Sequence, residues 1–154
     1  MLRLSKKADY ALMAMKHLAV RGDRSSSSAR EIAEQYDIPI ELMAKVLQRL
    51  VRRGLLASHQ GTRGGYQLAR VPSQISVADV IQAIDGPVTV TACSTDDAGT
   101  CDQFAKCNVR DPLRRVRERI AAALGECTIA ELASDVAPPR PAHAVVVSRS
   151  SAGL

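Results

Sequence analysis

Apolar positions recur at helical spacing over most of the first half of the chain. Leu4, Ala8, Ala11, Leu12, Met15, Leu18 and Ala19 mark an amphipathic helix over about 5–21, since positions three and four apart share one helical face. A polar loop follows, from Gly22 to Ser27. Ser28-Ala29-Arg30-Glu31 then has the form of a capping box, in which the Ser oxygen and the Glu carboxylate satisfy reciprocal backbone amides. It opens a short helix carrying Ile32 and Ala33. Tyr36-Asp37-Ile38 is read as the turn, and Pro39 near the start of the next helix removes an amide that would be unpaired there anyway.

That next helix, about 40–53, has two separate faces. Met43, Val46, Leu47 and Leu50 point to a core, whereas Glu41, Lys45, Gln48 and Arg52 form a polar, mostly cationic stripe. Gly54 ends it. Two short strands, 55–59 and 66–68, are joined by Gln60-Gly61-Thr62-Arg63-Gly64-Gly65, a glycine-rich tip suited to a hairpin. Helix, turn, helix and basic hairpin in that order predict a winged helix-turn-helix.

Beyond it, Ser76 caps an expected helix over 77–85 that stops at Gly86-Pro87. Residues 88–110 lack periodicity but hold Cys93, Cys101 and Cys107. Asp111-Pro112 is read as an N-cap and N1 proline, opening a helix to about Leu124 with Leu113, Val116, Ile120 and Ala123 or Leu124 along one seam. Residues 128–134 predict one or two further helical turns, and the segment from Ala137 on, rich in Pro and Ser, a disordered tail. The expected organisation is a DNA-binding domain over 1–87, a cysteine loop over 88–110, a dimerisation helix with a closing turn over 111–134, and a tail over 135–154. The fold class is mainly α.

Composition sharpens this reading. The chain has 154 residues, no Trp, one Phe and three Tyr, so its core is aliphatic, which suits helices. No apolar run is long enough to span a bilayer and the start lacks a secretory pattern, so the expectation is a cytoplasmic protein without membrane contact. Charge is segregated: residues 1–70 carry 13 Lys/Arg and 6 Asp/Glu, while residues 71–154 carry 8 and 10. The basic half is the one that would meet a polyanion. Candidate contacts to double-stranded DNA are Glu41, Lys45, Gln48 and Arg49 on the second helix of the motif. Ser28 at its first helix, Thr62 and Arg63 on the wing, and Arg3 and Lys6 before the first helix complete the set. The seam at 113–124 has no evident partner within the chain, which predicts a twofold homodimer on an inverted-repeat site.

Three thiols within fifteen residues, in a compartment where disulfides are rare, point to metal or redox chemistry. The spacing Cys93-x7-Cys101-x5-Cys107 is looser than paired structural zinc ligands and suits a larger iron–sulfur cluster. Structural zinc and a disulfide switch stand as alternatives. Asp9, His17, His59, His143, Glu126 and Cys127 are candidates for a fourth ligand, with Cys127 read as a buried small hydrophobe. No phosphate loop, nucleophile–His–acid arrangement or paired metal histidines mark an enzyme.

Five stretches, 2–12, 29–33, 47–56, 61–69 and 75–87, followed by the three cysteines, make the chain similar to a known family over about residues 1–134. It resembles the winged-helix iron–sulfur transcriptional regulators typified by IscR, NsrR and SufR, above all the regulator of SUF cluster assembly. The resemblance implies a repressor that senses through a 2Fe–2S or 4Fe–4S cluster held by Cys93, Cys101 and Cys107. Some members add a His three residues after the last cysteine, where this chain has Arg110. Others add an acidic residue from the partner's first helix, and Asp9 stands at that position.

Overall fold

The computed structural model describes residues 3–22, 25–91 and 101–134. Cys93 and the segment from 135 on, with His143 and the expected tail, lie outside the described residues.

Among the described residues, six helices and a two-stranded sheet follow one another as α1 (Lys6–Arg21), α2 (Ala29–Gln35), α3 (Ile40–Arg52), β1 (Leu56–His59), β2 (Gly65–Leu68), α4 (Val77–Asp85), α5 (Arg110–Glu126) and α6 (Ile129–Ser134). Short 3-10 turns lie at Pro72–Gln74 and Phe104–Lys106. The caps explain the boundaries. Ser5 caps α1 by accepting from the Ala8 amide at 3.1 Å. Ser28/Glu31 and Ser76/Asp79 both close full capping boxes, and Thr128/Glu131 repeats the pattern before α6.

The core is one aliphatic cluster at the junction of these helices. Ala8, Ala11, Ala14, Met15 and Leu18 of α1 meet Ile32 and Ala33 of α2, Met43, Leu47 and Leu50 of α3, and Val80 of α4. Three alanines on α1 let its neighbours approach closely, and the methyl-rich side chains fill the gap. The four α3 positions expected inside are all buried. Ile129 of α6 is also fully buried, and α6 packs on α1.

Strands β1 and β2 pair antiparallel with Leu56 opposite Leu68 and His59 opposite Gly65. On its other edge β2 meets Ser27, whose amide donates to the Tyr66 carbonyl at 3.0 Å while Tyr66 returns its amide to the Ser27 carbonyl at 2.8 Å. A residue from the polar loop thus serves as a third rung of the wing sheet and is 1% exposed.

Pro39 is the N-cap of α3, which begins at Ile40 as its spacing predicts. One boundary differs from expectation. Helix α5 begins at Arg110, ahead of Asp111-Pro112, with Val109 as a cap lacking a side-chain hydrogen bond. A proline anywhere in the first turn lacks only an amide that has no intrahelical partner, so the helix can start before it. Helix α5 contacts α4 but has no buried residue, and Val116 of the seam is 42% exposed. Among the described residues no helix is long and apolar enough to cross a membrane.

Candidate nucleic-acid interface and thiol loop

The outer face of α3 borders an open groove of about 1040 Å³, with the start of α1 and the end of α4 as its other walls. Lys6 and Lys7 come from α1, Lys45, Gln48, Arg49 and Arg52 from α3, and Ile84 and Asp85 from α4. Five cations face two carboxylates, Glu41 and Asp85. Such an excess focuses positive potential in a concave surface. Glu41, Lys45, Gln48 and Arg52 project unburied from a helix whose opposite face is locked in the core. They are therefore presented on a rigid support, as base-edge and phosphate contacts require.

Arg49 is held differently. Its Nε donates to the Ala83 carbonyl at 3.0 Å, so its direction is set by α4. The Ala83 carbonyl is available because the residue four positions on is Pro87, which has no amide to donate.

On the wing, Thr62 and Arg63 are exposed, and the Arg63 carbonyl accepts from Ser26 Oγ at 3.2 Å. Arg3 is exposed and does not line the groove. The Ser28 hydroxyl is taken up by its capping role, accepting from the Glu31 amide at 3.1 Å. The hydrogen bond from the Ser28 amide holds the Glu31 carboxyl below the usual range. Arg52 of the expected stripe lines the groove, and so do Lys7 and Asp85, which sequence pattern does not mark. Lys7 is adjacent to Lys6, but only the α1–α3–α4 packing places either lysine opposite the stripe.

Behind the wing lies a polar network. His17 Nδ1 is 3.0 Å from the Tyr36 hydroxyl and its Nε2 is 3.4 Å from Ser27 Oγ. Arg21 donates to the same Ser27 hydroxyl at 2.8 Å. Burial and the Arg21 charge push the His17 pKa down, with Glu31 opposing them. His17 is thus a bracing residue of the wing.

The described part of the thiol loop beyond residue 100 is built around a 3-10 turn. Cys101 precedes it and its carbonyl accepts from the Phe104 amide at 3.0 Å, while Cys107 follows it. Arg110 clamps the turn. Its guanidinium lies 4.7 Å above the Phe104 ring, donates to the Phe104 carbonyl at 3.3 Å, and sits 3.4 Å from the Asp111 carboxylate. The position where some relatives are expected to carry a metal histidine therefore holds the loop's own staple.

Cys101 and Cys107 are half-buried free thiols. Soft sulfur donors, partly shielded and on one short turn, suit iron or zinc. Cys127 is different: burial pushes its thiol pKa up, and Glu131 adds a hydrogen bond and a negative charge in the same direction. A raised pKa disfavours the free thiolate.

Asp9 lies half-buried in the first turn of α1. Its carboxylate has no hydrogen-bond or ion-pair partner among the described residues, Lys6 included. Within the chain Asp9, Cys101 and Cys107 do not converge, since no three His, Cys, Asp or Glu side chains gather among the described residues.

Comparison with known proteins meets this geometry at several points. The model of the Rrf2 family, described as an iron-dependent transcriptional regulator, matches residues 4–135. The transcriptional regulator IscR of Escherichia coli O1:K1 is 31% identical over 134 residues, which is 87% of this chain and 82% of that protein. The fold is also similar to CymR, the global cysteine regulator of B. subtilis. That match has a TM-score of 0.70 and 28% identity, over 89% of this chain and all of that one. For IscR of T. potens the TM-score is 0.69 at 25% identity, over 92% of this chain and 93% of that one.

Proposed function

This chain belongs to the Rrf2 family of transcriptional regulators, and on that basis we propose that it is an iron–sulfur-dependent repressor acting in the cytoplasm as a homodimer on an inverted-repeat operator. The observation that carries the DNA-binding part is the groove in which Lys6 and Lys7 of α1 face Lys45, Arg49 and Arg52 of α3. In this reading Lys45, Gln48 and Glu41 reach base edges in the major groove, with Arg49 set at their flank. Lys6, Arg3, Ser28, Thr62 and Arg63 take phosphates on either side.

The dimer forms along the unburied seam of α5, where Leu113, Val116 and Ile120 of two copies cover one another. Cys93, Cys101 and Cys107 supply three thiolates, and Asp9 of the partner subunit the fourth donor. The residues present fit such a group: two free thiols flank a clamped turn, and a carboxylate without a partner among the described residues stands on α1. When bound, the cluster supplies an iron centre sensitive to oxidants and nitric oxide. The chain's part is mechanical. With Asp9 engaged by the partner's loop, the start of α1 is tied across the dimer, and α1 carries Lys6 into the DNA groove. Released, the two halves lose that tie, a coupling of order 1–3 kcal/mol.

The test is the absorption spectrum with iron and acid-labile sulfide content of protein purified without oxygen. A coloured protein with sulfide, losing iron in Cys101→Ser and in Asp9→Ala while the helical fold stays intact, supports the reading. A colourless protein that holds zinc, and stays colourless after reconstitution with iron and sulfide, refutes it. The similarity to a cysteine regulator favours a second reading, a thiol switch at Cys101 and Cys107. That reading predicts metal-free protein whose DNA affinity changes reversibly with oxidation.

A further inference from the structure

The basic groove contains one acid whose placement runs against simple electrostatics. Asp85, the last residue of α4, lines the groove among the lysines and arginines. A carboxylate there repels phosphate. Yet both of its oxygens are committed to a residue eighty positions away: Ser5 Oγ donates to Oδ1 at 2.6 Å and the Ser5 amide donates to Oδ2 at 3.2 Å.

Ser5 is the N-cap of α1, and the hydroxyl that donates to Asp85 also accepts from the Ala8 amide. The chain from Asp85 through Ser5 therefore reaches the first turn of α1, where Lys6 and Lys7 stand. Two residues earlier on α4, the Ala83 carbonyl holds Arg49 of α3. The end of α4 thus grips both cationic walls of the groove, one by a carboxylate and one by a carbonyl that Pro87 cannot use.

We propose that Asp85 is a positioning residue for DNA binding: through its paired hydrogen bonds to Ser5 it sets the start of α1, and with it Lys6 and Lys7, at a fixed spacing from the recognition helix α3. The inference rests on the DNA-binding reading above and is separable from it. Two effects of opposite sign meet at Asp85. Charge alone makes any neutral replacement bind DNA more tightly. Positioning makes loss of the hydrogen bonds weaken binding, because a frayed first turn no longer presents its lysines to phosphate. Every phosphate left unneutralised lowers affinity about fivefold at roughly 0.15 M salt and reduces the magnitude of the salt slope by about 0.9.

Two replacements separate the effects. Asp85→Ala removes both charge and acceptors. Asp85→Asn removes the charge, but its amide oxygen can accept from the Ser5 amide and its amino group can donate to Ser5 Oγ. The measurement is the affinity of the full chain for a labelled random-sequence duplex over a range of salt, with helicity checked for each variant. We expect Asp85→Ala to bind about fivefold or more weakly with a shallower slope, and Asp85→Asn to bind more tightly than the unaltered protein. Ser5→Ala, which keeps every charge, should follow Asp85→Ala and serves if that variant fails to fold. Equal, tighter binding by both Asp85 variants with an unchanged slope would overturn the proposal, leaving Asp85 a merely repulsive charge. Absence of salt-dependent binding by the unaltered protein would instead sink the DNA-binding reading itself.

Discussion

Replacing Gly65 by Ala tests whether the wing is held by the loop before α2. A Cβ on Gly65 would lie 2.7 Å from the Ser27 carbonyl oxygen and 2.8 Å from its carbonyl carbon. Both are backbone atoms, so no side-chain rotation relieves the clash. Strand β2 must move away from Ser27, and the two amide–carbonyl bonds between Ser27 and Tyr66, at 3.0 and 2.8 Å, break together. At about 0.5–1.5 kcal/mol each, the net cost is about 1–3 kcal/mol. A central value of about 2 kcal/mol corresponds to about a thirtyfold shift in local opening. The core helices do not depend on this bridge, so the effect belongs to the wing. Amide hydrogen exchange read residue by residue should show Ser27 and Tyr66 exchanging about thirtyfold faster, while Leu47 and Met15 amides keep their protection. DNA affinity should fall as well, because Arg63 leaves its place beside Ser26. Gly61→Ala is the control: its Cβ meets nothing within 4 Å, although its φ of 117° adds backbone strain at the tip. Ser27 and Tyr66 protection in Gly65→Ala within a factor of about two of the unaltered protein would refute the reasoning.

Other consequences follow from the same geometry. Because burial and Arg21 lower the His17 pKa in the folded state, the unfolded chain takes up that proton first as pH falls. The stability His17 contributes is full above the ordinary imidazole pKa of about 6.5 and declines as pH drops through the lower folded value. Urea midpoints on either side of that range should show the decline flattened in His17→Gln, and a parallel decline would exclude His17 as its source. Val116→Asp places a charge on each copy of the α5 seam and should weaken dimerisation at least a hundredfold, from about 1.5 kcal/mol per side chain counted twice. Light scattering that finds an unchanged dimer would remove α5 from the interface. Lys45→Ala should lower the salt slope by about 1 on all DNA, whereas Gln48→Ala should relax preference at one base pair by about 1–3 kcal/mol. Selection from a random DNA pool distinguishes them, and an unaltered preference in Gln48→Ala would place that side chain off the base edges.

Much of this architecture is written in local pattern. The interior face of α3 is legible because Met43, Val46, Leu47 and Leu50 keep strict helical spacing and their burial needs no knowledge of the partner. The boxes at Ser28 and Ser76 are legible because capping chemistry involves only four consecutive residues. The segregated charge, the cysteine loop and the glycine wing also lie on the surface of the sequence, and the cationic stripe on α3 follows from the same periodicity that buries its other face.

Other features depend on residues far apart along the chain, and these wait for the packed molecule. Ser27 reads as one more serine in a polar loop, yet it is buried as the third rung of the wing because Gly65 lets β2 come within hydrogen-bonding distance. Asp85 reads as the polar end of a short helix, and only the packing of α4 between α1 and α3 brings it to Ser5. Arg110 reads as a departure from a metal-binding pattern, and the fold turns it into the clamp of the thiol turn. Short-range pattern determines where elements start, stop and hide their apolar faces, because propensity and capping act within a few residues. Which polar groups then meet is set by the angles at which those elements pack, and that information is carried by the whole core at once.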